Sequence, residues 1–88
     1  PAPRSLRVLV AEDNVVNQRL ILRLLEKRGH SAALAHNGRE AIQLAATETF
    51  DVVLMDLQMP EVDGLTATAK IRAAERGSSR RIPIIALT

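Results

Sequence analysis

The chain of 88 residues is 47% hydrophobic and 25% charged with a net charge of +2, the balance of one small globular domain and not of a disordered chain. It has no cysteine, which excludes disulfides, thiolate catalysis and cysteine-held metals and is compatible with a reducing, cytoplasmic setting. No apolar run reaches membrane-spanning length, the first residues lack a signal-peptide core, and with Phe50 as the single aromatic the core must be built from Val, Ile, Leu, Met and Ala.

Residues 1–5 read as an unstructured lead-in, and residues 6–88 as the domain. Val8-Leu9-Val10-Ala11 is the first of three continuous apolar runs, the pattern of a strand covered on both faces of a parallel sheet. Glu12-Asp13 follows it directly. A helix is expected next, with Val16, Leu20 and Leu24 on one face and Ile21 and Leu25 flanking them, stopping at Gly29. A short, weak strand follows at Ser31–Ala35. Asn37-Gly38 opens a second helix, with Ala41, Ile42 and Ala45 on one face. The second apolar run, Val52-Val53-Leu54-Met55, ends in Asp56. A third helix begins near Leu65, presents Ala67, Ile71 and Ala74 on one face, and ends near Gly77. Residues 77–81 read as a mobile surface loop. The last run spans residues 82–87, with Pro83 at or before its first paired position and Thr88 at its end. The excess of Arg72, Arg76, Arg80 and Arg81 is a local basic patch of the kind that can meet nucleic acid, but it reads first as a solvated helix end and loop, and no aromatics interleave the charges.

The order β-α-β-α-β-α-β with short connections predicts an α/β fold, a doubly wound parallel sheet with right-handed crossovers. Such sheets place their site beyond the carboxyl ends of the strands, at the topological switch point. Glu12, Asp13, Asp56 and Thr88 all fall at that edge. With strands ordered 2-1-3-4, Asp13 faces Asp56 between neighbouring strands.

Carboxylates brought this close repel. One like-charge pair at about 4 Å costs on the order of 4 kcal/mol at an effective dielectric of about 20. A divalent cation removes the conflict, and oxygen-only ligands without His or Cys favour Mg²⁺. A free carboxylate can also act as a nucleophile toward phosphorus, giving an acyl phosphate. Each residue alone has a plainer reading. Glu12-Asp13 suits a helix N-terminus, Asp13 or Asn14 could be a cap, Asp63-Gly64 could be a turn before a helix, and Thr88 by itself means nothing. Asp56 is harder to dismiss, because it ends four apolar residues and precedes Leu57.

The segments Val10-Ala11-Glu12-Asp13-Asn14, Leu54-Met55-Asp56-Leu57-Gln58-Met59-Pro60, Asp63-Gly64 and Ile84-Ile85-Ala86-Leu87-Thr88 closely resemble the receiver domains of two-component signalling. The likeness covers nearly the whole chain. It implies a flavodoxin-like sheet and a magnesium-dependent phosphoacceptor that promotes its own phosphorylation and dephosphorylation and is not otherwise an enzyme. It implies Asp56 as phosphoacceptor, and Glu12, Asp13, Asp56 and the backbone carbonyl of Gln58 as metal ligands. It implies Thr88 as a hydroxyl that moves to a phosphoryl oxygen. Partners are then a histidine kinase or histidine phosphotransfer domain, with no direct nucleic acid and no membrane contact. Glu12-Asp13-Asn14-Val15-Val16-Asn17-Gln18, Asn37-Gly38-Arg39-Glu40-Ala41 and Ile71-Arg72 are similar to receivers of hybrid histidine kinases.

The family continues into a fifth strand, bearing a lysine for the phosphoryl group, and a fifth helix, whereas this sequence stops at Thr88. Lys70 lies on the third helix and cannot take that role. The 88-residue chain is therefore expected to be defective in phosphoryl chemistry. It is also expected to leave the Val16-Leu20-Leu24 face and the edge of strand 4 uncovered, inviting self-association through that edge. An alternative is a receiver fragment that no longer turns over and serves as a protein-interaction module. A dehalogenase-type hydrolase needs a second Asp where Gln58 stands, and no glycine-rich nucleotide loop is present.

Overall fold

The computed structural model describes residues 4–87. Four parallel strands form one sheet in the order β2-β1-β3-β4: β1 (Arg7–Ala11), β2 (Ser31–Ala35), β3 (Val52–Asp56) and β4 (Ile84–Leu87). The crossovers are α1 (Val15–Lys27), α2 (Gly38–Thr47) and α3 (Gly64–Glu75). Each helix starts on a side-chain cap: Asn14 accepts from the Val16 and Asn17 N–H groups, Asn37 from Glu40, and Asp63 from Thr66. Glu40 reaches back past the cap, its carboxylate accepting from the His36 N–H at 2.9 Å.

Strand register assigns side chains to faces. Leu9 aligns with Val53 and Val53 with Ile84, while Ala11 aligns with Met55. These residues cluster with Ala41 of α2, with Ala67 and Ile71 of α3, and with Phe50, Met59 and Ile82. The main core therefore lies between the sheet and the α2–α3 pair. By strand alternation Val8, Val10, Leu54 and Ile85 point to the other face, where α1 lies.

Helix α1 packs by a face that its sequence left open. It carries two apolar stripes, and the buried or half-buried one is Gln18, Ile21, Leu22 and Leu25. Val16, Leu20 and Leu24 turn to solvent, 73%, 58% and 48% exposed. That face is uncovered, as the sequence suggested, but it is not the stripe that holds the helix to the sheet. Ala74 is also exposed rather than buried. Strand β1 is buried from Val8 to Ala11, as a continuous apolar run predicts, whereas β4 is an edge with Ile85 and Ala86 exposed. No element beyond β4 covers it among the described residues. Pro83 precedes β4, and its carbonyl accepts from Val53 N–H at 2.9 Å.

The loop over residues 77–81 is exposed, yet it is tied at two points. Arg80 donates to the Phe50 carbonyl at 3.0 Å, and the Ile82 N–H donates to the Glu75 carboxylate at 2.7 Å. Ser5 of the lead-in donates its hydroxyl to the Gly29 carbonyl at 2.8 Å.

Candidate metal centre

Strands β1 and β3 are hydrogen-bonded neighbours, so the residues that leave their carboxyl ends emerge side by side. Glu12 and Asp13 follow β1, and Asp56 is the last residue of β3. One carboxylate oxygen from each of the three lies within 4.8 Å of the other two. Glu12 is buried, Asp56 half-buried and Asp13 exposed, which gives the cluster a closed inner side and an open outer side.

The segment from Glu12 to Asn14 is fixed by short hydrogen bonds. The Glu12 N–H donates to the Ala35 carbonyl at 3.0 Å, and the Glu12 carboxylate accepts from the Asn14 N–H at 3.1 Å. Burial pushes the Glu12 carboxyl above its ordinary value. The Asn14 N–H opposes that rise, and the adjoining Asp56 and Asp13 carboxyls add to it. No basic side chain pairs with any of the three among the described residues. A hard divalent cation fits this oxygen-only set, because its charge answers both the burial of Glu12 and the mutual repulsion.

The β3–α3 loop closes the site from one side. The Gln58 N–H donates to an Asp56 carboxylate oxygen at 3.0 Å, which places Gln58 at the rim. Glu61 adopts a left-handed φ of 67° in that loop. Gly64 opens α3 hard against the end of β3, where an added Cβ would stand 2.2 Å from the Asp56 carbonyl oxygen. Gly38 meets the same loop from α2, with a Cβ there 2.2 Å from the Val62 carbonyl oxygen. Thr88 lies outside the described residues. Its predecessor Leu87 aligns with Asp56 and accepts from the Leu57 N–H at 3.2 Å, so β4 ends beside the cluster. Lys70 is an exposed residue of α3.

Gln18 is the residue that sequence reasoning passed over. It is 6% exposed, and its side-chain amide donates to the Glu12 carbonyl at 2.7 Å. The signal was present as a glutamine on a stripe otherwise filled by Ile21, Leu22 and Leu25. A cavity of about 340 Å³ lies at the opposite end of the sheet among Ile42, Phe50, Ile71 and Ile82. Its rim charges are already engaged, Glu75 with Arg72 and Ile82 and Arg80 with Phe50, so volume and chemistry sit apart.

Residues 8–88 match the response regulator receiver domain family. The chain is 45% identical over 87 residues to hybrid signal transduction histidine kinase I of Dictyostelium discoideum, covering 93% of this chain and 5% of that protein. It thus spans a small fraction of that relative's length. Its fold matches the receiver domain of sensor histidine kinase PA1611 from Pseudomonas aeruginosa, a structure with a magnesium ion coordinated in the active site cleft, with a TM-score of 0.88. That match has 42% identity and covers 97% of this chain and 68% of the other. It also matches the receiver domain of Ssk1 from Saccharomyces cerevisiae, crystallised with the histidine phosphotransfer protein Ypd1. There the TM-score is 0.85 and the identity 38%, covering 96% of this chain and 63% of the other. A parallel sheet in the order 2-1-3-4, an acidic cluster at its switch point and these likenesses agree: the chain belongs to the response regulator receiver domain family.

Proposed function

We propose that this chain is the phosphoacceptor of a two-component phosphorelay and that Asp56 receives the phosphoryl group. The observation that carries this reading is the convergence of Glu12, Asp13 and Asp56 from two adjacent strands without a basic partner. A carboxylate oxygen of Asp56 attacks phosphorus as the bond from phosphorus to the donor's imidazole nitrogen breaks. The electron pair leaves with that nitrogen; with a proton already on the other ring nitrogen, the donor ends as neutral histidine and Asp56 ends as an acyl phosphate. Glu12, Asp13, Asp56 and the Gln58 carbonyl are the residues that would hold Mg²⁺. Bound there, the ion supplies compensation for the negative charge on the phosphoryl oxygens. Thr88 is assigned the hydroxyl that moves onto a phosphoryl oxygen.

The magnesium ion in the PA1611 receiver supports the metal assignment. The pairing of Ypd1 with Ssk1 supports a histidine phosphotransfer domain or histidine kinase as donor. The domain acts in the cytoplasm as part of a signalling protein, and its chemistry is confined to its own phosphorylation and dephosphorylation. Acetyl phosphate with Mg²⁺ should place one phosphoryl group on Asp56 in the intact protein. The label should resist acid and yield to base, and Asp56→Asn should remove it. Labelling that survives this substitution, or that maps to Thr88, overturns the assignment.

A second property is proposed for the 88-residue chain itself. Edge strand β4, with Ile85 52% exposed, pairs with another copy or exchanges elements with it. Sedimentation at tens-of-micromolar concentration, on the order of that needed for weak association, should show a dimer or larger species. A cooperative monomer under those conditions rules the pairing out.

A further inference from the structure

Helix α1 buries one residue, and that residue is polar. Val15, Val16, Leu20 and Leu24 are all largely exposed on the same helix, while Gln18 is 6% exposed. Burying a primary amide is unfavourable unless its hydrogen bonds are made. The bond Gln18 makes is specific: its Nε2–H donates to the backbone carbonyl of Glu12 at 2.7 Å, six residues back. The Gln18 backbone N–H donates to the Asn14 carbonyl at 2.9 Å, so the amide is carried on the first turn of the helix.

The Glu12 backbone is therefore gripped from two directions. Its N–H reaches the end of β2 at Ala35, and its C=O is held by α1 through Gln18. The Glu12 carbonyl belongs to the peptide plane that continues into Asp13. Fixing that plane fixes where the Asp13 N–Cα bond begins and so narrows the directions open to the exposed Asp13 carboxylate. It also holds the span between the Glu12 and Asp13 carboxylates. A leucine at position 18 would bury as well and would leave the peptide free to rotate, with its carbonyl buried and unbonded.

We propose that Gln18 is a positioning residue of the acidic centre: its amide sets the Glu12–Asp13 peptide plane and thereby the geometry in which the carboxylates meet a divalent cation. The proposal rests on the reading of that centre as a Mg²⁺ site. Partners one step removed from a metal commonly change affinity by roughly 10–100-fold when lost.

The test is a Mg²⁺ titration of the intact protein followed by melting temperature and by the amide ¹⁵N shifts of Glu12 and Asp13. Gln18→Met keeps the volume and removes the donor. It should weaken Mg²⁺ by roughly tenfold or more and shift the Asp13 amide resonance, with the melting temperature in chelator little changed. Gln18→Asn keeps an amide but withdraws it from the carbonyl. It should weaken Mg²⁺ in the same direction, and it serves as the readout where the Met variant does not fold. A drop in chelator melting temperature with unchanged Mg²⁺ affinity marks Gln18 as a packing residue and overturns the proposal alone. Absence of any Mg²⁺ response in the parent protein overturns the metal reading and this inference together.

Discussion

The two ends of the sheet treat charge in opposite ways. At the amino-terminal end, Arg4 pairs with Asp51 at 3.4 Å, Arg7 pairs with Glu48, and Arg72 pairs with Glu75 at 2.8 Å. Arg7 also lies over the Phe50 ring, 5.1 Å from its centroid, while its backbone N–H donates to Asp51 at 2.8 Å. At the carboxyl-terminal end three carboxylates crowd together and no cation answers them among the described residues. One end uses charge to fasten strands, loops and helices to each other. The other end keeps an electrostatic conflict that folding alone does not resolve, and a site that must recruit a cation and a phosphoryl group needs that conflict.

The largest expected effect sharpens this contrast with the metal itself. Mg²⁺ at about 100 times its dissociation constant should stabilise the protein by roughly 2.7 kcal/mol, because it binds the folded cluster and not the unfolded chain. Asp13→Asn should erase most of that gain. In chelator the same substitution should raise stability by about 1 kcal/mol, the size of one like-charge pair at 4 Å in water. Melting temperatures with and without chelator check both signs. A variant that lowers stability in chelator would mean that the carboxyl end is fastened by its charges like the other end.

The smaller effect concerns the amino-terminal end. The Ile82 N–H, with the Arg72 guanidinium assisting, holds the Glu75 carboxyl below its ordinary value, while burial opposes the shift. A carboxyl lowered in the folded state contributes stability above its unfolded value, and that stability is lost as pH falls through the lowered folded value. Glu75→Gln should therefore cost roughly 1.5 kcal/mol at neutral pH, and the gap between variant and parent should close under acid. Urea unfolding at neutral pH and again below the glutamate range measures it. Equal stability at both would show that this end gains nothing from its pairings.

Strand runs and carboxylate positions were legible because they are local. Ser31–Ala35 appears as the strand the sequence indicated, and Glu12, Asp13 and Asp56 converge because parallel order leaves them no other place. The stripe by which α1 packs was not legible. Val16-Leu20-Leu24 and Ile21-Leu22-Leu25 are both apolar, and periodicity cannot say which of two stripes meets the sheet. Gln18 escaped for a related reason, since a glutamine in a helix is ordinarily assigned to the solvent side. Only the three-dimensional position of the Glu12 carbonyl shows why it turns inward. The loop at residues 77–81 was legible as surface, but its ties to Phe50 and Glu75 span 30 and 7 residues of sequence.

Phe50 gives the chain an unusual optical and magnetic simplicity. With no Trp and no Tyr, the chain has almost no near-ultraviolet signature, and its one aromatic ring is 1% exposed beneath Arg7. Fluorine placed on that ring gives one resonance for each state of the domain. Asp56 lies six residues further along, roughly 20 Å at the rise of a strand, too far for its charge to reach the label directly through a screened medium. A change in that single line on adding a phosphoryl donor would therefore register displacement carried down the length of β3, from the end of the sheet that reacts to the end that is tied down.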